Sequence, residues 1–201
     1  MRSRQLSEAR HQLKNKVIVY WLIPAEPERE LFRGLIKILA KQFDAPVFEP
    51  HLTLCIRPDR RGEKSPRRLL RQIKASGLRL QVRGVSHASK FTKTLFVRFK
   101  PARALDKLAR EFGCAARSDP HVSLLYKHLP ARTKKELAAT IQLRFRSVRF
   151  DSIKAVRCTS PTTMTREVKA WRVIATKRFG ERTRPRVQHS APPPNTTTHL
   201  R

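Results

Sequence analysis

The sequence predicts an α+β fold built twice over: a bilobal, pseudo-twofold domain with two antiparallel sheets facing a central cleft and helices on the outside. Three observations predict it. The pentapeptide Pro50-His51-Leu52-Thr53-Leu54 returns as Pro120-His121-Val122-Ser123-Leu124. The hydropathy pattern runs strand, helix, motif strand, helix, strand, and then repeats that order with one further strand. The pentapeptide holds the equivalent place in each half. A pseudo-twofold between the halves would set the motif strands side by side or across a cleft.

The first half opens with Lys16 to Ile23, a β-branched and aromatic run that reads as a buried strand ended by Pro24. Glu26 to Phe43 places Leu31, Phe32, Leu35, Ile36, Leu39 and Phe43 at helical spacing, with acids early and bases late as the helix dipole favours. The first motif strand runs from His51 to Ile56. A basic loop, Arg57 to Lys64, follows it, and the basic stretch Arg57 to Arg68 is a candidate to flank the cleft. Ser65-Pro66 reads as an N-cap with proline at the first helical position, and Gly77 as the end of that helix. Leu78 to Val85 alternates apolar and polar residues, as a strand with one wet face does.

The second half begins with a strand at Leu95 to Phe99. Pro101 opens a helix that Gly113 closes. The second motif strand, His121 to Tyr126, comes next. A helix is expected over Pro130 to Leu143, and strands over Ser147 to Cys158 and Val168 to Arg178. Residues 1–15 read as a basic flexible extension, 16–179 as the single bilobal domain, and 180–201 as a disordered Pro-rich tail.

Composition narrows the function. Forty-five Lys and Arg against 15 Asp and Glu give a formal net charge of +30, spread along the chain. Such a field attracts polyanions and steers anionic ligands. It equally fits a solvated basic surface, and charge alone does not decide between them. Cys55, Cys114 and Cys158 are odd in number with no Cys-x-x-Cys pair, which argues against a disulfide framework and a zinc site. No stretch reaches membrane-spanning length. The reading is a protein of the reducing cytoplasm, and with no heptads or apolar stripe it is expected to be a monomer.

A strand sends alternate side chains to opposite faces, so His51 and Thr53 share one face and His121 and Ser123 share another. Each copy then offers an imidazole and a hydroxyl, anchored from behind by aliphatics. His87-Ala88-Ser89 also matches His-x-Ser, but it lacks the preceding proline and the strand setting. Two imidazoles on opposite sides of one phosphorus can act as base and acid, since histidine serves in either state near neutrality. Thr53 and Ser123 can donate to the non-bridging oxygens. No carboxylate cluster with metal-ligand spacing accompanies them, so neither metal nor cofactor is expected.

The paired motifs resemble those of the 2H phosphoesterases. Val19-Tyr20-Trp21-Leu22-Ile23-Pro24, Phe48-Glu49-Pro50-His51-Leu52-Thr53-Leu54, His121-Val122-Ser123-Leu124-Leu125-Tyr126, and Ile153 to Cys158 with Trp171 are similar to the cyclic phosphodiesterase branch of plants and yeast. The resemblance implies a LigT-like bilobal fold and metal-independent hydrolysis of nucleoside 2′,3′-cyclic phosphates or ADP-ribose 1″,2″-cyclic phosphate, opened to a 2′- or a 1″-phosphate. It leans to His121 as base and His51 as acid. Trp21 and Tyr126 are candidate contacts for base or ribose, with core packing as the other reading. Tyr126 would face away from His121 in a regular strand, so that role needs the strand to bend or end near Leu125. The basic surface leaves open RNA ends as substrates, in the manner of the 2′–5′ ligase-like branch, or a non-catalytic RNA-binding protein.

Overall fold

A computed structural model describes residues 14–60, 65–74, 76–115 and 118–180. Most of the expected N-terminal extension, the centre of the basic loop and the expected C-terminal tail lie outside the described residues. The elements follow the duplicated order. The first half is β1 (Asn15–Pro24), α1 (Glu28–Phe43), β2 (Leu52–Pro58), α2 (Pro66–Gln72) and β3 (Leu78–His87). The second is β4 (Leu95–Phe99), α3 (Arg103–Glu111), β5 (His121–Leu125), α4 (Ala131–Thr140) and β6 (Ser147–Ser160), followed by α5 (Thr165–Lys169) and β7 (Arg172–Arg178).

The α+β fold is as expected, and the two expected sheets prove to be edge-joined into one antiparallel sheet of seven strands, ordered β1-β2-β5-β4-β3-β6-β7. β6 explains the fusion. Its first residues pair with β3 (Leu78↔Phe150 to Gln81↔Ser147), and the rest pairs with β1 (Pro24↔Phe150 to Asn15↔Ser160). One 14-residue strand therefore serves both halves. The motif strands close the other side through Leu52↔Val122.

β1 is buried on both faces, which is why its sequence reads as a continuous apolar run. Ile18, Tyr20 and Leu22 point into the main core with Phe32, Leu39, Phe112 and Phe150. Val17, Val19, Trp21 and Ile23 form a second cluster on the opposite face with Val156. α1 buries Phe32, Ile36, Leu39 and Ala40, while Leu31, expected inside, is 51% exposed. A stripe drawn from Leu31 to Phe43 is wider than the strip the sheet can cover.

Several boundaries differ from expectation, among them the end of α4 at Thr140 rather than Leu143. α2 stops at Gln72, well before Gly77. That glycine instead lets the chain pass Phe150, since a Cβ there would lie 2.9 Å from the Phe150 carbonyl oxygen. The last strand starts at Arg172 rather than Val168, because Thr165–Lys169 forms a helical turn in which Glu167 accepts from the Thr163 and Met164 amides. The segment before Leu95 contains a 3-10 turn at Phe91–Lys93. Gly113 does cap α3, at φ 69°.

The cysteines require a correction. Cys55 on β2 and Cys114 after α3 form a disulfide, with Cα atoms 6.0 Å apart. Residue spacing gave no sign of it because the partners are 59 residues apart and meet only when the halves pack. Closing a loop of that length stabilises the oxidised protein by about 4 kcal/mol in the chain-entropy treatment. Cys114→Ser is therefore expected to lower unfolding free energy by about 2–4 kcal/mol in denaturant titration, and dithiothreitol to lower the wild type similarly. An unchanged midpoint in both would contradict this.

Candidate active site

Antiparallel pairing about Leu52↔Val122 fixes the layout of the four motif side chains. It sets His51 beside Ser123 and Thr53 beside His121, so imidazoles and hydroxyls alternate around a square. All four line one cleft. The expected juxtaposition of the two motifs is what the fold brings about, by placing the strands side by side rather than across a gap.

Each motif strand also carries a bulge at the same position. Against β1, Cys55 pairs with Tyr20 and Thr53 with Trp21, which leaves Leu54 as the extra residue. Against β4, Leu125 pairs with Leu95 and Ser123 with Phe96, which leaves Leu124. A bulge resets the alternation of side chains beyond it. That answers the condition set for Tyr126: β5 bulges at Leu124 and ends at Leu125, and Tyr126 lines the cleft with His121 and Ser123.

The two histidines are held alike. His51 Nδ1 lies 2.6 Å from the Glu49 carbonyl oxygen, and His121 Nδ1 lies 2.8 Å from that of Asp119. A carbonyl only accepts, so each Nδ1 carries a proton and donates it. In the neutral ring this leaves the lone pair on Nε2, the atom turned away from the backbone. The same backbone contact thus holds both rings in the same tautomer.

Their surroundings differ. His51 is 6% exposed, stacked on Trp21 at 3.8 Å between ring centroids and met edge-on by Trp171 and Phe48. Burial, with a smaller contribution from the charge of His121, lowers its pKa to about 4 against the pull of the Glu49 hydrogen bond. His51 is therefore neutral at neutral pH. His121 is half-buried beside Phe96, with ring centroids 5.1 Å apart. Trp21 and Phe96 occupy equivalent places opposite the two motif hydroxyls.

The hydroxyls differ too. Ser123 Oγ donates to the Thr92 carbonyl at 2.9 Å. Thr53 lines the cleft, and its hydroxyl makes no hydrogen bond to protein among the described residues. Burial raises the Tyr126 phenol well above its ordinary value. The free Cys158 thiol in the cleft wall is pushed up to about 11 by burial, so it is no nucleophile near neutrality.

Trp21 and Tyr126 both reach the cleft, and each has one ring face stacked on a neighbouring ring. Trp21 covers His51, and Tyr126 stacks on Phe48 at 3.8 Å. They build the wall that dries His51. The described residues of the basic loop do not line the cleft. Arg57 donates to the Phe112 carbonyl and Arg67 to that of Ile174, both away from it. The cleft's cations come from the unexpected turn instead, as Lys90 and Lys93. Residue spacing did not mark this turn, nor the Thr159–Thr162 rim, nor Trp171 as a wall residue. A short run of Ser, Thr and Lys between strands carries no periodic signal.

Two pseudo-symmetric halves, each sending a His-x-Thr/Ser pair into a shared cleft, define a 2H phosphoesterase. The chain belongs to the cyclic phosphodiesterase-like protein family, whose model matches residues 17–179. The cyclic phosphodiesterase of Arabidopsis thaliana is 23% identical over 176 residues, covering 82% of this chain and 96% of that protein. E. coli LigT in its apo form matches with a TM-score of 0.53 at 16% identity, over 83% of this chain and 98% of LigT. Its complex with 3′-AMP matches at 0.51 and 21% over the same shares. These structures share the fold. No described helix is long and apolar enough to cross a membrane.

Proposed function

We propose that this protein hydrolyses small cyclic phosphodiesters, nucleoside 2′,3′-cyclic phosphates or ADP-ribose 1″,2″-cyclic phosphate, by general acid–base catalysis between its two histidines. The observation that carries this is a matched pair of imidazoles lining one cleft, each with its Nδ1 held by the backbone carbonyl two residues earlier. The Arabidopsis relative is a cyclic phosphodiesterase and LigT binds 3′-AMP, which supports a nucleotide-sized substrate.

Water attacks phosphorus opposite the 3′ oxygen, and His51 Nε2 takes its proton. The P–O3′ bond breaks, its electron pair stays on O3′, and His121 supplies the proton that neutralises it. The product keeps a 2′-phosphate. Burial favours this direction, because His51 is held neutral and His121 is the more open of the two. It reverses the order drawn from the resemblance. Thr53 and Ser123 donate to the non-bridging oxygens, where charge builds during attack. Acid and base are both supplied by protein, so no metal is needed for these steps.

The test is turnover of a nucleoside 2′,3′-cyclic phosphate in EDTA, followed by the pH dependence of kcat/KM, which reports the free enzyme. With His51 as base, activity falls on the acid side as pH drops through about 4. An acid limb near ~6.5, the ordinary histidine value, assigns the base to His121 instead. Loss of all turnover in EDTA overturns the mechanism.

A second reading, RNA ends bearing the cyclic phosphate, is favoured by the cleft lining itself: among the described residues it includes Lys90, Lys93 and several hydroxyls but no carboxylate. Run in parallel on an oligoribonucleotide, the same assay separates the two. Higher kcat/KM on the longer substrate, lost as salt rises, supports RNA ends. Salt-sensitive RNA binding without turnover of any cyclic phosphate would leave a binding protein.

A further inference from the structure

Each motif histidine is preceded, two residues earlier, by an acid: Glu49-Pro50-His51 and Asp119-Pro120-His121. In a chain with only 15 acidic residues among 201, this repetition calls for an explanation. The backbone carbonyls of these two residues are the ones that hold Nδ1. Their side chains are anchored by cations from neighbouring strands. Lys154 Nζ meets Glu49 Oε1 and Oε2 at 2.6 and 2.7 Å, with both side chains about three-quarters buried. Arg98 Nε meets Asp119 Oδ1 at 2.9 Å, and Lys93 closes the other oxygen.

These cations are placed by strand register. Lys154 lies opposite Trp21, the ring stacked on His51. Arg98 lies opposite His121 itself. Burial alone would raise the Asp119 carboxyl, but the hydrogen bonds and charges of Lys93 and Arg98 outweigh it and hold the group below its ordinary value. Asp119 is thus ionised at neutral pH. The proline that follows each acid fixes one backbone dihedral and has no N–H to compete for contacts. Acid, proline and histidine together form a rigid arm.

Resting on the two-histidine reading above, we infer that Glu49 and Asp119 are positioning residues: ion pairs from adjacent strands clamp their side chains, so that their carbonyls hold each imidazole in one tautomer with Nε2 toward the cleft. Neither acid touches a reacting atom in this account. Their effect runs through the carbonyl, as second-shell groups act elsewhere. The device also accounts for why both motif copies keep an acid in so basic a chain.

The decisive variant is Glu49→Gln, which keeps the volume and removes the charge that Lys154 grips. We expect kcat to fall roughly 10- to 100-fold at unchanged KM, the size of effect a small misplacement of a catalytic group has. Long-range ¹H–¹⁵N spectra of histidine, assigned against His51→Ala, should show a single Nδ1–H tautomer for His51 in the wild type and a mixture in Glu49→Gln. The exchange pair Glu49→Lys with Lys154→Glu should recover both kcat and the single tautomer. Wild-type kcat in Glu49→Gln, or an unchanged tautomer, overturns the inference. So does a failure of the exchange pair to recover either property in a protein with native circular dichroism. If Glu49→Gln does not fold, Lys154→Met is read by the same spectra. Should the wild type hydrolyse no cyclic phosphate, the two-histidine reading fails while the tautomer spectra still decide the clamp.

Discussion

Alanine at His121 is expected to cut kcat for 2′,3′-cyclic phosphate hydrolysis by roughly 10²–10⁴-fold, and alanine at His51 by a similar factor. KM should change little in either case, because proton transfer is demanded only in the transition state. The double variant should be scarcely worse than the poorer single one, since groups that act in one step are not additive. The two variants part company on acid stability. His51 has a folded pKa near 4, below the ordinary 6.5 that it regains on unfolding. Between those values the unfolded chain binds a proton that the native state refuses. Stability conferred by a neutral, buried His51 is therefore intact above the unfolded value and falls as pH drops toward 4, by about 3 kcal/mol in all. His51→Ala should remove this share of the acid sensitivity. Denaturant titrations across the acid range check it. Identical acid profiles for wild type and His51→Ala would mean that His51 is not held neutral, and would undercut its assignment as base.

The candidate site was legible because its pattern is written locally and twice. His51 and Thr53, like His121 and Ser123, need only the alternation of one strand to share a face. What alternation could not supply was the relation between strands. The pairing Leu52↔Val122, which puts His51 beside Ser123, depends on two segments some seventy residues apart. The bulges at Leu54 and Leu124 are equally silent in hydropathy, and without them Tyr126 points the wrong way. The turn carrying Lys90 and Lys93 was hidden because short turns have no period. Two halves in the sequence predict two sheets, and the strand expected over Ser147 to Cys158 carries no sign that it pairs with both β3 and β1. The aromatic wall illustrates the same limit. Trp21 and Tyr126 line the cleft, but only the folded packing shows that one stacks on His51 and the other on Phe48.

Removing either hydroxyl is expected to lower kcat by roughly 10²–10³-fold, the range found for single donors to a developing oxyanion. The two should not behave alike. Thr53 has no protein partner to give up among the described residues, so its hydroxyl is ready to donate when substrate arrives. Ser123 already donates to the Thr92 carbonyl, and must exchange that acceptor for a phosphate oxygen. The exchange costs part of what the new bond gains, because a neutral carbonyl is traded for a charged oxygen. Thr53→Val should therefore be the more damaging change, and Thr53→Ser should restore most of the rate. Ser123→Ala carries an added consequence, since it leaves the Thr92 carbonyl without its donor and loosens the turn that holds Lys93 against Asp119. Its KM should rise together with the fall in kcat, whereas Thr53→Val should act on kcat alone. Steady-state kinetics on one cyclic nucleotide distinguishes these patterns. Near wild-type turnover in Thr53→Val would remove the hydroxyls from the catalytic account and leave the histidines to act without them.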